Sequence, residues 1–288
     1  MDLTKRVNIR LKFKKVKPDQ LKERPGRGGL SLLVVGILMT ALCSTAVAET
    51  AEKTGLAIAT EADHRDAGFE DSSSSLTMLL INRSGESTTR QMREKRVEVQ
   101  GDGDKSIMVF DEPRDVKGTA LLTYSHKEGK DDQWIYLPAL KRVKRISSSN
   151  KSGPFMGSEF SYEDLSSQEV EKYTYRYLRD ESLNAKPCFV IERYPVDLKS
   201  GYTRQIAWID QEEYRTWKVD FYDRKNSLLK TLTLSGYKQY LGRYWRPAKL
   251  SMINHQTGKS TILQSSDYQF KNGFTARDFN KNSLAKMR

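Results

Sequence analysis

Residues 152–167 read Ser-Gly-Pro-Phe-Met-Gly-Ser-Glu-Phe-Ser-Tyr-Glu-Asp-Leu-Ser-Ser. The stretch interrupts the alternating segments on either side of it, yet it carries Phe155, Met156, Phe160, Tyr162 and Leu165. Connecting loops run over the surface and are ordinarily less apolar than this. Gly153-Pro154 and Gly157 supply turn chemistry, and Ser161 ahead of Glu163, Asp164 and Leu165 marks the capped start of a short helix. An apolar, partly helical insert between strands is either a lid over an apolar cavity or a long loop folded back on its own core.

On both sides of the insert the chain consists of short β-type runs separated by turn residues. Before it come residues 76–82, 88–99, 106–110, 119–125, 133–137 and 141–146. After it come 170–179, 187–194, 203–209, 214–222, 228–235, 245–254 and 260–270. Asp180 to Asn184, Lys199-Ser200-Gly201 and Gln256-Thr257-Gly258 are among the turns. Runs at this spacing without intervening long helices are consecutive antiparallel strands, so the expectation is one large, strongly curved antiparallel sheet. Alternation puts Trp217, Val219 and Phe221 on one face, Ala120, Leu122 and Tyr124 on one face, and Trp134 with Tyr136. About a dozen strands enclose more space than side chains fill, which leaves a cavity to be covered. The insert is one candidate cover. The other is an amphipathic helix over residues 49–72, with Leu56, Ala59, Ala62 and Ala67 inward, ended by Gly68-Phe69 and the run 71–75.

The chain opens on a basic run followed by an uncharged segment, residues 30–48, ending Ala46-Val47-Ala48. This reads as a secretory signal over residues 1–48 with cleavage after Ala48, on a long basic flank; an uncleaved inner-membrane anchor is the alternative. Either way the positive flank stays inside and residues 49–288 are exported as one domain. Residues 1–48 hold ten Lys/Arg against three Asp/Glu, so 39 basic and 34 acidic residues remain and the net charge falls from +12 to +5. So mild an excess gives no case for nucleic acid. One cysteine, Cys188, remains, which excludes an internal disulfide.

Three further sets of residues carry a resemblance. Residues 110–119 read Phe-Asp-Glu-Pro-Arg-Asp-Val-Lys-Gly-Thr; residues 132–146 run from Asp-Gln-Trp-Ile-Tyr-Leu-Pro through Lys141-Arg142-Val143-Lys144-Arg145-Ile146; residues 157–165 run from Gly-Ser-Glu-Phe to Glu-Asp-Leu. With Gly242-Arg243-Tyr244-Trp245 and residues 254–261, the pattern resembles the outer membrane lipoprotein-sorting proteins, in the LolA-like branch associated with RND/MMPL-type exporters. It spans essentially everything after residue 48. The resemblance implies a mainly β fold, an incomplete antiparallel β-barrel whose apolar concave face is covered by helices, and periplasmic carriage of a lipid or lipidated protein in partnership with such an exporter.

On that reading Phe155, Met156, Phe160, Tyr162 and Leu165 contact ligand from the lid, and Leu122, Trp217, Phe221 and Met252 from the sheet; each of the sheet positions also reads as plain core. Lys141, Arg142, Lys144 and Arg145 fall on both faces of a strand, which suits a sheet edge that docks an acidic partner or anionic head groups, or simply a solvated edge. No catalytic constellation is visible: His64, His126 and His255 are far apart, and neither a metal-ligand spacing nor a nucleophile elbow occurs. The expectation is therefore a monomeric carrier without cofactor, metal or enzymatic activity. A sensor of the same fold is the first rival and a lipid esterase the second.

Overall fold

The computed structural model describes residues 31–287, with side chains from Glu49 onward. The chain divides into two units, Met1–Thr45 and Ala46–Arg288, and the architecture below is that of the second. The expected signal, its cleavage point and the alternative anchor fall on residues that are undescribed or described in backbone alone. Among the described residues no helix is long and apolar enough to cross a membrane.

Helix α1 (Ser31–Asp66) ends just before the first strand. Its buried stripe is Gly55, Ile58 and Ala59, with Ala62 half-buried. Of the expected stripe, Ala59 and Ala62 lie in it, whereas Leu56 is exposed and Ala67 lies past the end of the helix. Leu56 is turned out by a close backbone approach at its neighbour Gly55. A Cβ on Gly55 would stand 2.7 Å from the Tyr177 amide nitrogen, so only the glycine face can seat here.

Fifteen strands follow: β1 (Asp71–Ile81), β2 (Ser87–Val97), β3 (Lys105–Glu112), β4 (Ala120–Tyr124), β5 (Asp132–Leu137), β6 (Arg142–Arg145), β7 (Tyr173–Leu183), β8 (Lys186–Pro195), β9 (Tyr202–Asp210), β10 (Thr216–Asp223), β11 (Leu228–Ser235), β12 (Lys238–Tyr240), β13 (Tyr244–Arg246), β14 (Lys249–Asn254) and β15 (Ser260–Phe270). Each of the thirteen runs read from the sequence overlaps at least one of them. The run 245–254 splits in two around Pro247, which has no N–H for a ladder; β13 pairs with β12 in a separate ribbon and β14 joins the main sheet. Residues 71–75, expected as a helix stop, instead begin β1 and pair with β2. Asp71 is buried there because its carboxylate accepts hydrogen bonds from the backbone N–H groups of Asn272, Gly273 and Phe274.

The main sheet has thirteen strands in the order β6-β5-β4-β3-β2-β1-β15-β14-β11-β10-β9-β8-β7. Its two free edges, β6 and β7, are consecutive in sequence. They do not pair, so the barrel stays open, and the connection between them, residues 146–172, must cross from one edge of the sheet to the other. That connection contains the apolar insert.

The face that carries α1 and the insert holds one continuous buried cluster. Met78, Met92, Phe110, Leu121, Ile191, Val219, Phe221 and Met252 come from strands, Ile58 from the helix, and Phe155, Phe160 and Leu165 from the insert. The opposite face is apolar too. Val97, Ile107, Val109, Ala120 and Leu122 lie under Phe279 and Leu284 of the C-terminal segment, whose Phe279 carbonyl accepts a hydrogen bond from the Tyr124 hydroxyl. A smaller patch gathers Cys188, Val190 and Trp208.

Candidate functional site

The insert is held on the sheet by its apolar side chains and by polar groups from six strands. Phe155 and Phe160 are fully buried and Leu165 nearly so. The Phe155 ring stands 5.6 Å from Phe110 and 5.7 Å from Tyr162. Met156 and Tyr162 are half-buried against the same cluster. The expected capped turn is present as a 3-10 helix, Tyr162–Leu165, with the Ser161 N–H donating to Asp164 Oδ2 at 2.7 Å.

The fastening bonds come from across the whole sheet. The Arg90 guanidinium on β2 donates to the Met156 carbonyl at 2.6 Å, and Gln133 on β5 to the Tyr162 carbonyl at 2.9 Å. Thr261 on β15 accepts from the Glu159 N–H at 2.9 Å, and Asn254 on β14 donates to the Glu159 carboxylate at 2.7 Å. Lys230 on β11 donates to the Glu159 carbonyl at 2.9 Å and to Asp164 Oδ2 at 2.6 Å. Tyr202 on β9 donates its hydroxyl to Asp164 Oδ1 at 2.7 Å. Glu163 accepts from Ser200 Oγ and the Gly201 N–H, and burial pushes its carboxyl up. The insert, read from sequence as a lid or as a loop folded back on the core, is thus fastened at many points in this conformation.

Of the four sheet residues nominated from sequence, Phe221 and Met252 lie beneath the insert in its cluster. Leu122 and Trp217 do not. Leu122 faces the C-terminal segment on the other side of the sheet, since its neighbour Leu121 takes the inner position. Trp217 leaves the face of Val219 and Phe221 because the register with β9 slips between Thr216 and Lys218. It packs beside Trp208 and donates its indole N–H to Asp210.

No nominated ligand contact lines the large open space. A cleft of about 1550 Å³ lies at the C-terminal end of α1, away from the fully buried insert side chains. Tyr175, Ile191, Ile209 and Leu234 are among its wall residues. The first three belong to the buried cluster that also contains Phe155, Phe160 and Leu165. Its rim is charged: Asp104 and Glu169 face it, and burial pushes each carboxyl up to about 6, although Arg96 stands 3.6 Å from Asp104. Strand periodicity shows which residues share a face but not which face turns inward, so these wall residues were not legible. Lys230 was closer to legible. It interrupts the apolar side Leu228, Leu232, Leu234 of an alternating strand, and a lysine there needs a partner.

The four basic residues sit as an edge predicts. Lys141 follows a short 3-10 turn, and Arg142, Lys144 and Arg145 lie on edge strand β6, all exposed. Arg142 and Lys144 pair opposite Leu137 and Ile135, while Arg145 pairs opposite Trp134, so the charges point to both sides. Arg145 also forms an ion pair with Asp132. Among the described residues no group of His, Cys, Asp and Glu side chains is arranged to hold a metal.

Comparison with known proteins decides the family. A crystal structure from Vibrio parahaemolyticus, of a domain assigned to the outer membrane lipoprotein-sorting proteins, is 58% identical, covers 81% of this chain and 99% of its own, and superposes with a TM-score of 0.80. This chain belongs to the outer membrane lipoprotein-sorting protein family. A DUF1329 family protein from Desulfovibrio piger is 30% identical over 81% of this chain and 99% of that one, with a TM-score of 0.77. A LolA superfamily protein from Nitrosomonas europaea, 21% identical over 78% of this chain and 97% of that one, shares the fold with a TM-score of 0.64. A family model described only as an uncharacterized protein matches residues 102–286. No curated protein matches. The incomplete, LolA-like β-barrel expected of the lipoprotein-sorting family is the fold observed.

Proposed function

We propose that this chain is a periplasmic carrier. It binds the hydrocarbon part of a lipid or lipidated protein on the inner face of its sheet and passes it between an RND/MMPL-type inner-membrane exporter and the outer membrane. One observation carries the reading: three residues of the cleft wall, Tyr175, Ile191 and Ile209, belong to the same buried apolar cluster as Phe155, Phe160 and Leu165 of the insert. On this reading a hydrocarbon chain enters at the cleft and displaces side chains of that cluster to reach the underside of the insert. Each methylene removed from water gains about 0.8 kcal/mol, so half-burying a twelve-carbon chain gains roughly 5 kcal/mol. The assignment of the Vibrio relative to lipoprotein sorting agrees with this task.

The exposed cationic edge at Lys141, Arg142, Lys144 and Arg145 is the docking surface on this reading. Exposed charges contribute to association rate and register more than to fold stability.

Half-buried Leu234 in the cleft wall provides the test. Leu234→Trp should lower the affinity for a fluorescent fatty acid at least tenfold while the melting temperature holds. Unchanged affinity removes the cleft from the binding site, and absence of fatty acid binding by the native chain removes the carrier reading.

A further inference from the structure

Lys230 and Tyr202 lie on the inner face of the sheet, and both are held by one carboxylate that belongs to the insert. The Lys230 ammonium reaches Asp164 Oδ2 at 2.6 Å and the Tyr202 hydroxyl reaches Asp164 Oδ1 at 2.7 Å. The Lys230 and Asp164 side chains are only 4% and 6% exposed. The surroundings are apolar and aromatic: the ammonium stands 5.3 Å from the Tyr202 ring centroid and 5.4 Å from that of Phe221. Its other acceptor, the Glu159 carbonyl, also belongs to the insert.

Lifting the insert therefore strips Lys230 of its carboxylate and its carbonyl acceptor in one movement. It leaves a cation beside the Tyr202 and Phe221 rings without a counter-charge. Where an apolar chain then takes the place of the insert and keeps water out, the remaining charge has neither water nor counter-charge, which is strongly unfavourable. An apolar chain alone cannot supply the missing acceptor. A chain that ends in an anion can, since its oxygens fit the two donors that Asp164 leaves behind.

We infer that Lys230 and Tyr202 form an anion subsite under the insert, occupied in the closed form by Asp164 and in the loaded form by the carboxylate or phosphate head of an anionic amphiphile. The inference rests on the carrier reading and specifies the cargo for it. Asp164 acts as an internal stand-in for the head group, so head-group binding and insert opening are a single exchange. A neutral lipid of equal chain length opens the insert poorly, and a free anion without a chain gains nothing from the apolar surroundings. Differential affinity for the open form is what allows a ligand to shift such an equilibrium.

The test titrates the full chain by calorimetry with dodecanoate, dodecanol and acetate at one pH. Dodecanoate should bind at least tenfold more tightly than dodecanol, with acetate weaker than either. Asp164→Asn removes the competing carboxylate and should tighten dodecanoate binding several-fold. The paired variant Asp164→Asn with Lys230→Met removes both charges without orphaning one. It should keep dodecanol binding and lose the preference for the acid. Equal affinity of the native chain for acid and alcohol overturns the subsite while leaving the carrier reading intact. Acetate binding as tightly as dodecanoate overturns the amphiphile in favour of a free-anion site. Binding of no probe overturns the carrier reading, and the subsite with it.

Discussion

Phe155→Ala should loosen the insert without unfolding the sheet. The Phe155 side chain is fully buried, between Phe110 of β3 and Tyr162 of the insert itself. Truncating such a phenylalanine costs about 3–5 kcal/mol when the site cannot collapse around the cavity. Where that loss appears depends on how the insert is bonded. The Phe155 N–H donates to the Phe160 carbonyl, Tyr162 to Gly153, and Glu163 to Lys151, so these backbone bonds close within the insert. Its bonds to the sheet involve side chains. The insert can therefore open as a unit while the strand ladders stay closed, and the lost packing falls on that local opening. At about 1.4 kcal/mol per decade, the predicted increase in amide exchange for residues 153–165 is roughly 140- to 3,700-fold. Hydrogen–deuterium exchange read by mass spectrometry measures it, with peptides from β1 and β15 as the internal reference. If those reference peptides accelerate by the same factor, the insert and the sheet are one cooperative unit and the idea of a separable cover fails.

Two other predictions concern the cleft rim and the outer face. The Asp104 carboxyl, held near 6 by burial against about 3.8 unfolded, keeps its proton in the folded chain where the unfolded chain loses it. Its contribution is therefore fully present below pH 4 and lost as the pH rises through 6. Melting curves of the native chain and of Asp104→Asn should converge in acid and separate by pH 7, with the native chain less stable relative to the variant; parallel curves would refute the assignment. Deleting residues 274–288 uncovers Val109, Ala120 and Leu122 and removes two fully buried side chains, Phe279 and Leu284. At about 1.5–3 kcal/mol each, the loss is roughly 3–6 kcal/mol. Chemical denaturation and dye binding to exposed apolar surface should both report it, and an unchanged midpoint would show that the segment is a passive tail.

Much of the secondary structure was legible because it follows from local chemistry. Turn residues and β-type runs located thirteen strand segments, and Ser161 to Leu165 announced their own capped turn. The failures share a cause. Residues 71–75 were read as a helix stop because serine and aspartate favour turns locally, yet Asp71 finds its partners two hundred residues away, at Asn272, Gly273 and Phe274. Trp217 was assigned to the inner face by counting in twos, and a slip in register moved it. Leu56 was assigned inward by helical spacing, and the seat of Gly55 against Tyr177 turned it out.

By itself the sequence determined that this is a strand-built chain of the lipoprotein-sorting family, and that an apolar insert sits midway along it. Period-2 patterning, turn chemistry and motif spacing are properties of neighbouring residues, so they can be read without coordinates. Only the tertiary structure decided that β6 and β7 are opposite edges of one sheet, and so why residues 146–172 must cross its face. Only it brought Lys230, Tyr202 and Asp164 together, from positions up to 66 residues apart. Which strands become neighbours is set by long-range pairing and by burial of the whole apolar surface at once, and no short window of sequence contains that information.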